Sequence, residues 1–164
     1  MKCLVTLLSV FAFLLTSCEG PQGPPGFDGL NGAIIASSSF EIELDFNNAN
    51  NYEFFEAYGF DVLQSDVTLV YVLWETLNGQ DIWRLMPQTV YFDDGELIYN
   101  YDFTQTDVRF FLDGTTDFSL LDASYTQNQV FRVVVVPADN VGRVDYTNLD
   151  AVMDLYDIKT FTKR

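Results

Sequence analysis

From Phe40 to Phe46 the chain alternates strictly between apolar and acidic residues: Phe40, Ile42, Leu44 and Phe46 against Glu41, Glu43 and Asp45. A period of two puts one set of side chains on each face of an extended strand, so this segment predicts a strand with one buried and one acidic face. The same period dominates from Ala33 onward, broken by turn residues every 8–15 positions. Asn47-Asn48-Ala49-Asn50-Asn51 reads as a turn cluster and residues 52–60 as a second strand. Residues 67–74 and 130–136 are almost wholly apolar, the pattern of strands covered on both faces, with Pro137 stopping the second. Asn78-Gly79 predicts a hairpin leading into residues 82–86. Residues 89–92, an Asp94-Gly95 turn and residues 96–103 predict another, followed by residues 108–112 and Asp113-Gly114.

One segment changes period. Leu149, Val152, Met153 and Tyr156 form a single helical stripe, with Asp150, Asp154 and Asp157 opposite. Thr147 and Asp150 have capping-box spacing, so residues 148–156 predict a short helix against the end of the sheets. About eight short strands and one helix predict an all-β, two-layer antiparallel sandwich of immunoglobulin-like size, with a small barrel as its rival. This domain takes residues 33–164.

The preceding residues are of two other kinds. Lys2 gives a positive start, and residues 4–15 are apolar except for Thr6 and Ser9. Twelve residues are too few to cross a hydrocarbon core of about 30 Å as a helix, so residues 1–17 read as a secretory signal. The run ends in Leu15-Thr16-Ser17-Cys18. That tetrad resembles the lipobox of bacterial lipoproteins: an aliphatic residue, two small ones, then cysteine. The resemblance implies cleavage between Ser17 and Cys18, a diacylglycerol thioether on Cys18 and an acylated amino group. Stable anchoring takes two or more acyl chains, which that modification supplies. The chain's other cysteine, Cys3, would leave with the signal.

Residues 18–32 hold Cys18 and a collagen-like stalk: Gly20-Pro21-Gln22, Gly23-Pro24-Pro25, Gly26-Phe27-Asp28, Gly29-Leu30-Asn31 and Gly32. Glycine at every third place with proline between is the collagen pattern, because only glycine fits the axis of three packed polyproline II chains. Extended at about 3.1 Å per residue, it reaches roughly 40 Å. Four triplets must offset about 1–2 kcal/mol of backbone ordering per residue to form a triple helix alone. A spacer on a monomer is therefore expected over a trimer.

Composition removes several chemistries. The chain has no histidine, so a Ser-His-Asp triad, an imidazole zinc site and a His-ligated haem are excluded. Twenty-four acids against eight cations, net −16, oppose contact with nucleic acid phosphates. Phosphate-cradle and nucleophile-elbow motifs are missing, and no cofactor is expected. Three features invite a site. Arg84, Arg109 and Arg132 each interrupt an apolar strand and could bind an acidic ligand or tie acidic strands together. Asp93-Asp94-Gly95-Glu96, with Asp113 and Asp117, could offer hard oxygens to calcium, although Asp-Gly is ordinary turn chemistry. Trp83, Tyr91, Tyr99 and Tyr101 could share one sugar-stacking face or be cross-strand and core rings.

The whole chain resembles small collagen-like lipoproteins of Gram-negative bacteria. The likeness rests on the lipobox, the stalk after Cys18-Glu19, and the run Tyr125-Thr126-Gln127-Asn128-Gln129 through Val133-Val134-Val135-Val136 to Pro137-Ala138-Asp139. It implies a cell-envelope location and lends no catalytic residue. Neither Glu19 nor Gly20, which follow Cys18, is the aspartate that retains such proteins at the inner membrane, so the resemblance implies the outer membrane. The expectation is a lipid-anchored, non-catalytic lipoprotein whose domain is structural or binds a protein partner. A glycan-binding module using sheet aromatics is the alternative.

Overall fold

The computed structural model describes residues 38–138 and 144–164, all within the compact unit Ala33–Arg164. Ser17, Cys18 and the glycines of the stalk (Gly20, Gly23, Gly26, Gly29, Gly32) lie outside the described residues.

Two sheets stack face to face, which selects the sandwich over the barrel. One has five strands, in the order β4 (Gln80–Leu85), β3 (Val67–Leu77), β8 (Gln129–Val136), β1 (Ser38–Leu44) and β9 (Thr162–Lys163). The other has four: β2 (Glu53–Ala57), β7 (Asp107–Gly114), β6 (Gly95–Phe103) and β5 (Gln88–Phe92). Neighbours are antiparallel except β9, which runs parallel to β1.

Alternation decides what fills the space between the sheets. Phe40, Ile42 and Leu44 of β1 turn inward with Val70 and Val72 of β3 and Phe131, Val133 and Val135 of β8. Leu97 and Tyr99 of β6 and Val108, Phe110 and Leu112 of β7 meet them from the other sheet. Full burial of such a side chain contributes about 1.5–3 kcal/mol, so these residues carry the fold.

β3 and β8 are apolar at successive positions because both their faces are covered. Tyr71, Val134 and Val136 point away from the main core and pack under α1 (Leu149–Leu155), with Leu149, Val152 and Tyr156. The helical stripe is buried as its spacing predicts, but against the outer face of the five-stranded sheet and not the end of the sandwich. Its cap also differs by one residue. Asn148 is the N-cap and accepts from the Ala151 amide, while the Thr147 hydroxyl donates to Asp145.

Three other corrections are local. Residues 52–60 contain a strand only over Glu53–Ala57; Tyr58 then turns its ring into the core. The β5–β6 turn uses Asp93-Asp94, with Phe92 paired to Gly95, so it sits one place earlier than Asp94-Gly95. Asp113-Gly114 is not a turn but the end of β7. There a Cβ on Gly114, at φ 130°, would come within 2.1 Å of the Glu96 carbonyl oxygen, so glycine is what allows the close approach. The Asn78-Gly79 hairpin stands as predicted, with both residues at positive φ.

Candidate functional site

The mid-strand arginines resolve into structural ties and one exception. Arg109 on β7 pairs with Asp102 at 2.6 Å and Glu53 at 3.5 Å, and its guanidinium lies 4.4 Å from the Phe111 ring centre. Arg132 on β8 donates from Nε to Glu41 at 3.0 Å and lies 4.0 Å over Trp83. Both tie neighbouring strands on an outer sheet face. Arg84 on β4 stacks 4.1 Å over the Trp74 ring. Among the described cations it alone has no carboxylate partner, since Lys159, Lys163 and Arg164 are paired with Asp157, Glu41 and Glu56. The three arginines thus form no common site for an acidic ligand.

The acidic turns are committed locally. Asp94 accepts from the Thr116 hydroxyl at 2.8 Å. Asp117, Asp122 and Asp145 each cap the chain two residues on, through Ser119, Ser124 and Thr147. Hydrogen bonds from the Ser119 hydroxyl and amide hold the Asp117 carboxyl below its ordinary range; the Ser124 amide does the same for Asp122 and the Thr147 hydroxyl for Asp145. Among the described residues no three carboxylates or thiols gather as metal ligands.

The four aromatics do not share a face. Trp83 packs on the outer face of the five-stranded sheet. Tyr99 and Tyr101 point between the sheets, their hydroxyls donating to the carbonyls of Tyr125 (2.7 Å) and Thr68 (3.1 Å). Tyr91 projects from β5 and is 79% exposed. Burial raises the pKa of the Tyr99 and Tyr101 phenols above the ordinary tyrosine value, which marks core rings and not wet stacking platforms.

Trp74 reaches an opening. With Val72, Val90, Tyr99, Tyr125 and Asn128 it lines an open cleft of about 400 Å³, where β3 and β5 of opposite sheets face the segment before β8. Val90, on edge strand β5, belongs to its lining. No local pattern signals this cleft, because its walls come from strands far apart in sequence.

Arg164 is the second feature without a sequence signal. Its guanidinium pairs with Glu56 at 2.9 Å, donates to the carbonyls of Ala57 (2.6 Å) and Tyr58, and lies 3.9 Å over Phe40. Its amide donates to the Glu41 carbonyl at 3.0 Å. One side chain therefore clasps β2 of one sheet to β1 of the other. Charge-assisted hydrogen bonds contribute about 1.5–3 kcal/mol. Arg164→Ala is expected to lower the unfolding free energy by about 2 kcal/mol, read as a drop in the urea midpoint; Lys163→Ala, which removes an exposed amine, should change it by about 0.5 kcal/mol or less. Equal effects would contradict the clasp.

No protein family, curated protein or solved structure matches this chain.

Proposed function

We propose that the chain is a lipoprotein of the cell envelope, held at the outer membrane by lipid on Cys18 and raised on its Gly-X-Y spacer, with a non-catalytic β-sandwich that binds a protein partner. The observation that carries this reading is the tetrad Leu15-Thr16-Ser17-Cys18 at the end of an apolar run too short to span a bilayer. With Cys3 and Cys18 the only cysteines and no histidine in the chain, the sandwich has neither of the commonest nucleophile–base pairs. Arg109 and Arg132 tie strands, Asp117, Asp122 and Asp145 cap turns, and the hydroxyls of Tyr71, Tyr99 and Tyr101 bond to main-chain carbonyls. A protein-binding role is preferred to a glycan-binding one because the four aromatics share no face: Trp83 lies on an outer sheet face, Tyr91 projects from edge strand β5, and Tyr99 and Tyr101 point between the sheets.

Mass spectrometry of the N-terminal peptide from the native protein tests the anchor. The expected species begins at Cys18 and carries two ester-linked acyl chains and one amide-linked chain. Cys18→Ser should move essentially all of the protein from the membrane to the aqueous fraction, because nothing then replaces the acyl chains. A species that retains residues 1–17, or a Cys18→Ser protein that stays with the membrane, refutes the reading.

A further inference from the structure

We propose that β5 is a docking edge, to which an extended, lysine- or arginine-bearing segment of a partner protein adds as a further strand; this rests on the protein-binding reading above.

Among the described residues the sandwich has four edge strands, and three are guarded. β9 is only two residues long and carries Lys163. β4 carries Asp81 and Arg84. β2 carries Glu53 and Glu56, and Arg164 occupies the carbonyls of Ala57 and Tyr58 at its end. Charge, shortness and a covering side chain are how sheet proteins prevent unwanted pairing. β5, Gln88-Thr89-Val90-Tyr91-Phe92, has no charged residue.

Its outward hydrogen-bonding groups follow from register. The Glu96 carbonyl accepts from the amides of Thr115 and Thr116, so Glu96 turns its main-chain groups away from β5. Leu97, the next residue, must face β5, and its partner Val90 faces back. Thr89 and Tyr91 therefore point their N–H and C=O groups off the sheet, and neither has a main-chain partner among the described residues. A strand laid there gains main-chain bonds to both, while its alternate side chains can drop toward the cleft beside Val90, Trp74 and Tyr125.

Charge chooses the occupant. Asp93 and Asp94 follow β5 directly, and Asp45 and Asp122 hold the cleft-lining loop through the amides of Asn128 and Ser124. Arg84, on the Trp74 ring, is a single cation set against these four carboxylates. A second copy of a chain with net charge −16 is repelled, whereas a basic segment is drawn in.

The test uses the full chain in detergent micelles with two synthetic peptides: Lys-Thr-Val-Thr-Val-Thr-Lys, and a twin with Glu at both ends. Peptide binding is followed by fluorescence anisotropy and backbone amide exchange. The basic peptide should bind at least tenfold tighter than its twin, weaken with salt and slow exchange at Thr89 and Tyr91. Two variants should each weaken it at least tenfold: Tyr91→Lys, which adds the missing guard, and Thr89→Pro, which removes an outward donor and leaves the ladder to β6 whole. Both variants are checked for unchanged far-ultraviolet circular dichroism. The proposal is overturned if Thr89 and Tyr91 gain no protection, if a bound peptide is indifferent to Tyr91→Lys, or if β5 is already protected in a self-associated chain. In intact cells, a crosslinked protein neighbour undiminished by Tyr91→Lys refutes the edge and leaves the protein-binding reading standing. No crosslinked protein at all refutes that reading itself.

Discussion

Phe131→Ala is expected to lower the unfolding free energy by about 3–5 kcal/mol, a large share of the roughly 5–15 kcal/mol that holds a domain of this size. Phe131 sits on β8, at the middle of the five-stranded sheet, and is fully buried. Its ring lies 5.0 Å from that of Phe110, which belongs to the opposite sheet, and edge-on to Phe46 at 6.1 Å. Truncation removes a ring that bridges both layers, and the flanking β1 and β3 are fixed by their ladders to β8, so the cavity cannot close. Phe55→Ala is the matched comparison: the same atoms are deleted from β2, where the ring is 57% exposed, and the cost should stay below about 1 kcal/mol. Guanidinium midpoints for the two variants check this. Equal losses would mean that the two sheets do not share the core described.

That core was legible because its signal is local. The alternation over Phe40–Phe46 states which face of β1 is buried, and the unbroken apolar runs at 67–74 and 130–136 announce strands covered on both sides, which β3 and β8 are. The helical stripe from Leu149 to Tyr156 was readable for the same reason. What the local pattern could not carry is competition between equivalent groups. Thr147 and Asn148 are both good caps, and Asp145 decides between them by engaging the threonine hydroxyl. Asp113-Gly114 has turn composition, yet its glycine serves a close approach to Glu96 from another strand. β9 is two residues long and pairs with β1 more than a hundred positions away, so no periodicity marks it. The Arg164 clasp, the Trp74 cleft and the unguarded edge of β5 arise only when distant strands meet, and each is therefore a property of the topology.

Raising the pH above 10 is expected to unfold the sandwich in one cooperative step, and buried phenols are the reason. Tyr58 bonds to the Thr68 hydroxyl at 2.7 Å, Tyr71 to the Tyr146 carbonyl at 2.6 Å, Tyr99 to the Tyr125 carbonyl at 2.7 Å and Tyr101 to the Thr68 carbonyl at 3.1 Å. Burial raises the pKa of all four above 10, because the interior cannot solvate a tyrosinate. For three of them the acceptor is a carbonyl oxygen, which would repel the anion. A folded-state pKa above the unfolded one favours the folded protein fully below pH 10 and loses that advantage as the pH rises toward the folded pKa. Each such group forfeits about 1.4 kcal/mol per pH unit across its window, so Tyr71 and Tyr99, the two most strongly shifted, together forfeit roughly 3 kcal/mol per unit, a large share of the whole stability. Tyrosinate absorbance and near-ultraviolet circular dichroism should therefore change together, and Tyr99→Phe, which deletes one titrating group, should move the midpoint upward in pH. At neutral pH the same variant should cost about 1 kcal/mol for the lost hydrogen bond to Tyr125, reversing its sign across the titration. Ionisation of all nine tyrosines near pH 10 with the dichroism intact would show that these hydroxyls are wet and the interior described here is not closed.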